Sequence, residues 1–312
     1  MSPRAARRAM LAFCYVALSV GAACKASPEQ AQRATDVAAT APAASPPAPM
    51  PVPVPAFTAV GGIRYRGKLT QGGWLQGVAP AGTRSVTLGG EPLALSADGA
   101  FFAAFDRDAP ATLSLATTDE SGLQLSVPLP IEPRAWKIEQ VSVARRPGGL
   151  GEPAFRARRA AELARIRAAR ALKTAAAGWR EAMIWPAAGR ISGRFGAQRI
   201  YRGEPGAYHS GTDIAAGAGA AISAPAGGVV VLAAQDAFTL EGHLLIIDHG
   251  MGLTSAFLHC ADLAVREGDA VRQGDLLGHV GMTGRATGPH LHWALNWRGR
   301  KLDPQLFAPP RG

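Results

Sequence analysis

From Ile184 to the C-terminus, glycines and turn signals recur at close intervals between short β-branched and leucine runs such as Val229-Val230-Val231 and Leu244-Leu245-Ile246-Ile247. Chain punctuated in this way suits strands and hairpins, and it predicts an all-β domain over residues 184–308. A similar pattern precedes it. Between 57 and 143, runs with partial alternation, such as Ser85-Val86-Thr87-Leu88 and Thr112-Leu113-Ser114-Leu115, are separated by Gly-Gly, Pro-Ala-Gly and Asp-Gly turns. They read as a small β-sandwich. After the Pro147-Gly148-Gly149 break, residues 153–180 are dense in the helix formers Ala, Arg, Leu and Glu, with Pro153 where a first turn tolerates it. One connecting helix is expected there, and the chain as a whole should be mainly β. On that helix Leu163, Ile166, Ala169 and Leu172 form a narrow apolar stripe, while Arg156, Arg158, Arg159, Arg165, Arg167, Arg170 and Lys173 crowd the remaining surface.

The 312 residues carry a formal net charge of +10, an excess that raises the question of a polyanionic partner. Its placement answers the question. A net charge of +9 falls in residues 134–180 and +4 in residues 1–26, whereas residues 181–312 balance. Arg4, Arg7 and Arg8 precede an apolar run from Met10 to Ala23 that is too short to span a bilayer and ends in small residues, the form of a bacterial secretory signal over 1–26. Gly21-Ala22-Ala23-Cys24 also resembles a lipoprotein signal, which would lipidate Cys24; cleavage after Ala23 or Ala26 to a soluble product is the alternative. Residues 27–56 are rich in Ala and Pro, a composition that favours extended polyproline II, buries no core and serves as a linker. The expected location is the periplasm, with a membrane anchor if Cys24 is lipidated. Export removes nucleic acid as a partner. It leaves an anionic membrane or wall surface as the candidate contact of the basic helix over 154–180, against a simply solvated face. It also leaves Cys260 as the one internal thiol, so no intrachain disulfide framework is available.

All seven histidines fall in residues 209–312, and that bias asks for a chemical reason. Pro289-His290-Leu291-His292-Trp293-Ala294-Leu295-Asn296 alternates, so in a strand His290, His292, Ala294 and Asn296 share one face. Tyr208-His209-Ser210-Gly211-Thr212-Asp213 holds a second pair at an even separation. Two imidazole nitrogens and a carboxylate suit zinc. A catalytic zinc site typically has three protein ligands and an open fourth position, an inventory that His209, Asp213 and one of His290 or His292 supply. The remaining imidazoles would be free for proton transfer.

These residues resemble the lysostaphin/LytM-type zinc metallopeptidases, which cut peptide bonds in bacterial peptidoglycan. His209 and Asp213 match the family's His-x-x-x-Asp motif, and Ala224-Pro225-Ala226-Gly227-Gly228-Val229-Val230 is similar to a family run that follows it. Thr283-Gly284-Arg285-Ala286-Thr287-Gly288-Pro289-His290-Leu291-His292 matches the family's His-x-His motif in its usual context. The similarity spans about Trp185 to Phe307. It implies one zinc per chain held by His209, Asp213 and His292. His290, and His259 at the end of Ser255-Ala256-Phe257-Leu258-His259, would then be catalytic imidazoles that do not bind the metal. One would carry the proton of the attacking water to the leaving amine and the other would stabilise the oxyanion; which does which stays open. His243, His249 and His279 match no catalytic position, and surface or turn roles suffice for them. The implied activity is that of a zinc metalloendopeptidase on peptidoglycan cross-links. The alternative is a non-catalytic relative that binds and activates a peptidoglycan amidase; such relatives lack some of the zinc residues, and this chain keeps all five positions.

Overall fold

The computed structural model describes residues 56–143 and 153–311. The leader with Cys24, the linker up to Pro55 and the Pro147-Gly148-Gly149 break lie outside the described residues. The described chain is mainly β, with a single α-helix, and no helix in it is long and apolar enough to cross a membrane.

The N-terminal half forms two four-stranded antiparallel sheets. Ile63–Lys68, Trp74–Val78 and Ala100–Ala104 pair side by side in the first, and Thr83–Leu88, Thr112–Asp119 and Gln124–Pro130 in the second. Alternation gives each sheet an apolar face. Val86, Leu115 and Leu129 from the second pack with Ile63, Leu75 and Phe101 from the first in a buried cluster that continues into the C-terminal half through Ile214, Trp293 and Trp297. The strand Ile138–Val141 reaches across as well and pairs in parallel with Gln198–Tyr201.

The C-terminal half is built on a ten-stranded sheet. The strands that position the site lie in the order Arg190–Gly193, Thr212–Ala215, Leu291–Trp297, Leu253–Leu263 and His243–Gly250, each antiparallel to the next. One face carries Leu291, Trp293, Leu295, Phe257, Leu245 and Ile247 into the main core. On the other, Leu244, Ile246 and Ala256 are covered by the helix.

The helix spans Pro153–Ala171 and stops short of the expected end at 180. Beyond it, the N–H and hydroxyl of Thr174 donate to the Asp248 carboxylate at 2.9 and 2.7 Å, drawing the chain off the helix axis toward the sheet, and Gly178–Arg180 forms a separate 3-10 turn. Its buried face also differs from the apolar stripe read from sequence. Ile166 and Ala169 pack on Val231, Leu232, Phe238 and Ile246, but Leu163 and Leu172 are 36% and 54% exposed. The third buried residue is Glu162. Positions 162, 166 and 169 are spaced four and three apart and so share a face, which a carboxylate can complete because hydrogen-bond donors meet it there.

Candidate metal centre and active site

Strand register assembles the centre of the site. Gly193 lies opposite Asp213, Asp213 opposite His292, and His292 opposite Leu258, a row across four strands. Directly opposed residues send their side chains to one face with Cβ atoms about 4.5–5.5 Å apart, so Asp213 and His292 meet as a consequence of register. Asp213 Oδ1 and His292 Nδ1 are 2.8 Å apart. His209 arrives from the loop before Thr212–Ala215, held by its own backbone bonds to Ala197 O and from Gly196 N–H. Its Nε2 is 3.0 Å from Asp213 Oδ1 and 3.2 Å from His292 Nδ1. The His209 Nδ1–H donates to Arg194 O at 3.0 Å, so the neutral imidazole turns its Nε2 lone pair to the other two groups, and the protonated imidazole donates from Nε2 to Asp213.

The donor set fits zinc. Two imidazole nitrogens and a carboxylate oxygen converge within 4.8 Å of one another, and tetrahedral bonds of about 2.0–2.1 Å would separate such ligands by about 3.3 Å, close to the observed spacings. Electrostatics keeps the carboxylate of the set ionised. Burial works against charge on all three groups, yet hydrogen bonds from His209 and His292 outweigh it at Asp213 and hold that carboxyl well below the usual carboxylate range. The Asp213 hydrogen bond and charge likewise overcome burial at His209 and raise it, whereas burial prevails at His292 and lowers it.

Two further imidazoles flank this centre. His290 precedes the Leu291–Trp297 strand, with Nε2 3.9 Å from Asp213 Oδ1 and Nδ1–H donating to Gly288 O at 2.8 Å. Of the pair that alternation left open, His292 is therefore the nearer to Asp213. His259 follows Leu258, and regular alternation would turn it to the opposite face of the sheet. Instead its φ is 66°, and Leu258 and His259 together oppose the single residue Leu244, between the His243–Cys260 and Leu245–Phe257 pairs. This is a β-bulge, which re-aims a side chain at the cost of about 1–2 kcal/mol for a non-glycine residue in the left-handed region. The His259 ring centre lies 4.9 Å from that of His290 and 6.4 Å from that of His292. Its Nδ1–H donates to Thr283 O at 2.9 Å. Burial lowers its pKa, and the Thr283 bond only partly offsets the effect.

The other three histidines stand apart from this cluster. His279 pairs with Asp262 at 2.8 Å at the surface, and half-buried His243 bonds Ala234 O at 3.2 Å. His249 departs from the surface or turn role expected of it. It is fully buried, donates from Nδ1 to Gly227 O at 2.8 Å and accepts at Nε2 from the Ser255 hydroxyl at 2.7 Å. Its place in the His243–Gly250 strand points it into the interior, where burial holds the imidazole neutral at ordinary pH.

Sequence reasoning passed over two glycines that make room for the ligands. A Cβ on Gly193 would stand 2.2 Å from Asp213 Oδ2, and one on Gly211 would stand 2.5 Å from Trp293 O and 2.7 Å from His292 Nε2. No local signal marks Gly193, because the clash depends on the cross-strand pairing with Asp213. Gly193→Ala is expected to leave the fold intact and weaken zinc binding about 10–100-fold, the range seen when a metal ligand's supporting contact is lost. Competition with a chromophoric chelator measures it, and an unchanged affinity would mean that the carboxylate can move aside freely.

Comparisons with known proteins extend this picture. Residues 207–304 match Peptidase family M23. The chain is 36% identical over 115 residues to the peptidoglycan DD-endopeptidase ShyA of Vibrio cholerae, covering 36% of this chain and 26% of that protein. It is 35% identical over 127 residues to the murein hydrolase activator NlpD of Salmonella dublin, covering 41% of this chain and 31% of the relative. The chain thus spans between a quarter and a third of the length of these curated relatives. A solved structure from Pseudomonas aeruginosa assigned to peptidase M23 superposes with a TM-score of 0.59 at 26% identity, over 77% of this chain and 95% of that one. That similarity includes chain on the N-terminal side of the matched segment. Residues 207–304, which hold all five of the clustered site residues, are a peptidase family M23 domain.

Proposed function

We propose that the protein is a zinc-dependent endopeptidase that hydrolyses peptide cross-links of bacterial peptidoglycan in the periplasm. The observation that carries this reading is the conjunction of a three-donor set, His209, Asp213 and His292, with two imidazoles beside it whose Nδ1–H groups are tied to carbonyls. Bound by those donors, zinc would polarise a peptide carbonyl and acidify a water molecule. The chain's own groups do the rest. With Nδ1–H committed to Thr283 O and Gly288 O, His259 and His290 each keep Nε2 for the reaction. One accepts the water proton there and passes it to the leaving amine, while the other, protonated, donates to the developing oxyanion. Exposed Arg156 and Arg167 on the helix are the groups that would meet an anionic membrane or wall surface.

The similarity to the activator NlpD favours a second reading, in which the chain binds and activates an amidase. The complete set of five side chains argues for hydrolysis. Incubating the purified protein alone with sacculi should release fragments whose masses correspond to cut cross-links, and a chelator should stop the release. Silence at every zinc level, together with faster release by an added amidase, would establish the activator instead.

A further inference from the structure

The helix Pro153–Ala171 lies outside the segment that matches Peptidase family M23, yet its buried polar face is spent on one loop of that domain. The Glu162 carboxylate accepts from the N–H and hydroxyl of Thr239, both at 2.7 Å. Arg159 spans from Glu162, at 3.1 Å, to Glu241, which it grips with two nitrogens at 2.6 Å each. Arg158 adds a bond to Ala237 O at 2.9 Å. Planar two-point pairs of this kind, partly buried, fix geometry as well as charge. Burial alone would raise the Glu162 carboxyl, but Thr239 and the two arginines bring it below its ordinary value.

What the loop does next links the helix to the site. At the bulge, the His259 N–H leaves the regular ladder and donates to Glu241 O at 2.8 Å. The same loop supports the other anchor of that histidine. Leu240 O accepts from Arg285 N–H at 3.0 Å, and His243 N–H donates to the Thr283 hydroxyl at 3.0 Å. Thr283 O in turn holds the His259 Nδ1–H. Both hydrogen bonds that orient His259 therefore trace back to residues 237–243.

We propose that Arg159 and Glu162 are positioning residues that lock the 237–243 loop, so that Glu241 O captures the His259 N–H and the bulge presents the His259 imidazole to the reaction centre. This rests on the catalytic reading of His259 given above. It also gives the helix arginines a task that a solvated or lipid-facing surface does not require.

Arg159→Gln, the milder Glu162→Gln and the conservative Arg159→Lys test the idea through amide exchange, metal content and kinetics. Arg159→Gln should retain one zinc per chain, speed exchange at residues 237–243 and at the His259 amide, and lower kcat about tenfold or more while KM stays within about twofold, as misplacement of a reacting group does. Glu162→Gln should do the same more weakly. Arg159→Lys keeps the charge but not the two-point grip on Glu241 and should fall between wild type and Arg159→Gln in protection and turnover, a grading that ties the effect to the ion pair. Unchanged exchange at His259 in Arg159→Gln would overturn the proposal whatever the activity. Faster exchange in Arg159→Gln combined with full turnover in His259→Asn would instead uphold the lock and reject the catalytic reading on which its consequence depends.

Discussion

Replacing His259 or His290 is expected to leave zinc at one per chain and to cut turnover at least about a hundredfold, the lower end of what a positioned acid or base contributes and equivalent to about 2.7 kcal/mol of barrier. The reasoning is geometric. His209, Asp213 and His292 bring their donor atoms to within 2.8–3.2 Å of one another, while His290 Nε2 stands 3.9 Å from Asp213 Oδ1 and the His259 ring centre is 6.4 Å from that of His292. On the proposed reading, loss of either flanking imidazole would therefore remove proton transfer or oxyanion stabilisation without removing a ligand. The backbone at His259 calls for care, because alanine is strained at a φ of 66°. His259→Asn avoids that complication, since asparagine tolerates the left-handed region. Metal analysis alongside single-turnover kinetics on a soluble cross-linked peptide reads both quantities. Near-wild-type turnover in either variant would strike that residue from the mechanism, and loss of zinc in His290→Ala with retention in His292→Ala would exchange their assignments.

The β architecture was legible because short runs between turns have few other options; spacing alone reached His209, Asp213 and one of His290 or His292, and the choice of His292 came from the resemblance to the family's His-x-His motif. Legibility failed where tertiary contacts overrode local pattern. Leu163 belongs to the stripe by hydropathy, yet Glu162 takes the buried place because Thr239, Arg158 and Arg159 satisfy its carboxylate. Ala and Arg continue through 180 and so extend the helical pattern, and nothing nearby reveals that Asp248, 74 residues away, captures Thr174. His259 could be matched to a motif, but the bulge that turns it toward the site, with its N–H on Glu241 O, leaves no trace in the sequence around it. By sequence a surface or turn role suffices for His249, and only the strand pairing shows that it is buried and satisfied by Gly227 and Ser255.

The second large effect concerns the metal itself. Asp213 supplies the only anionic donor of the triad, and its carboxylate joins both imidazoles at 3.0 and 2.8 Å. Asp213→Ala leaves two neutral nitrogens with nothing to offset the charge of a divalent cation in a partly buried site. The loss of affinity should exceed the about 10–100-fold that follows when only a supporting hydrogen bond to a ligand is removed. The decisive measurement is a zinc titration of chelator-stripped protein, followed by cleavage of a soluble cross-linked peptide. The rate should rise in proportion to added zinc and level off at one equivalent per chain, while Asp213→Ala stays at background across the same range. Full activity in the stripped protein, or a wild-type titration curve for Asp213→Ala, would contradict the account.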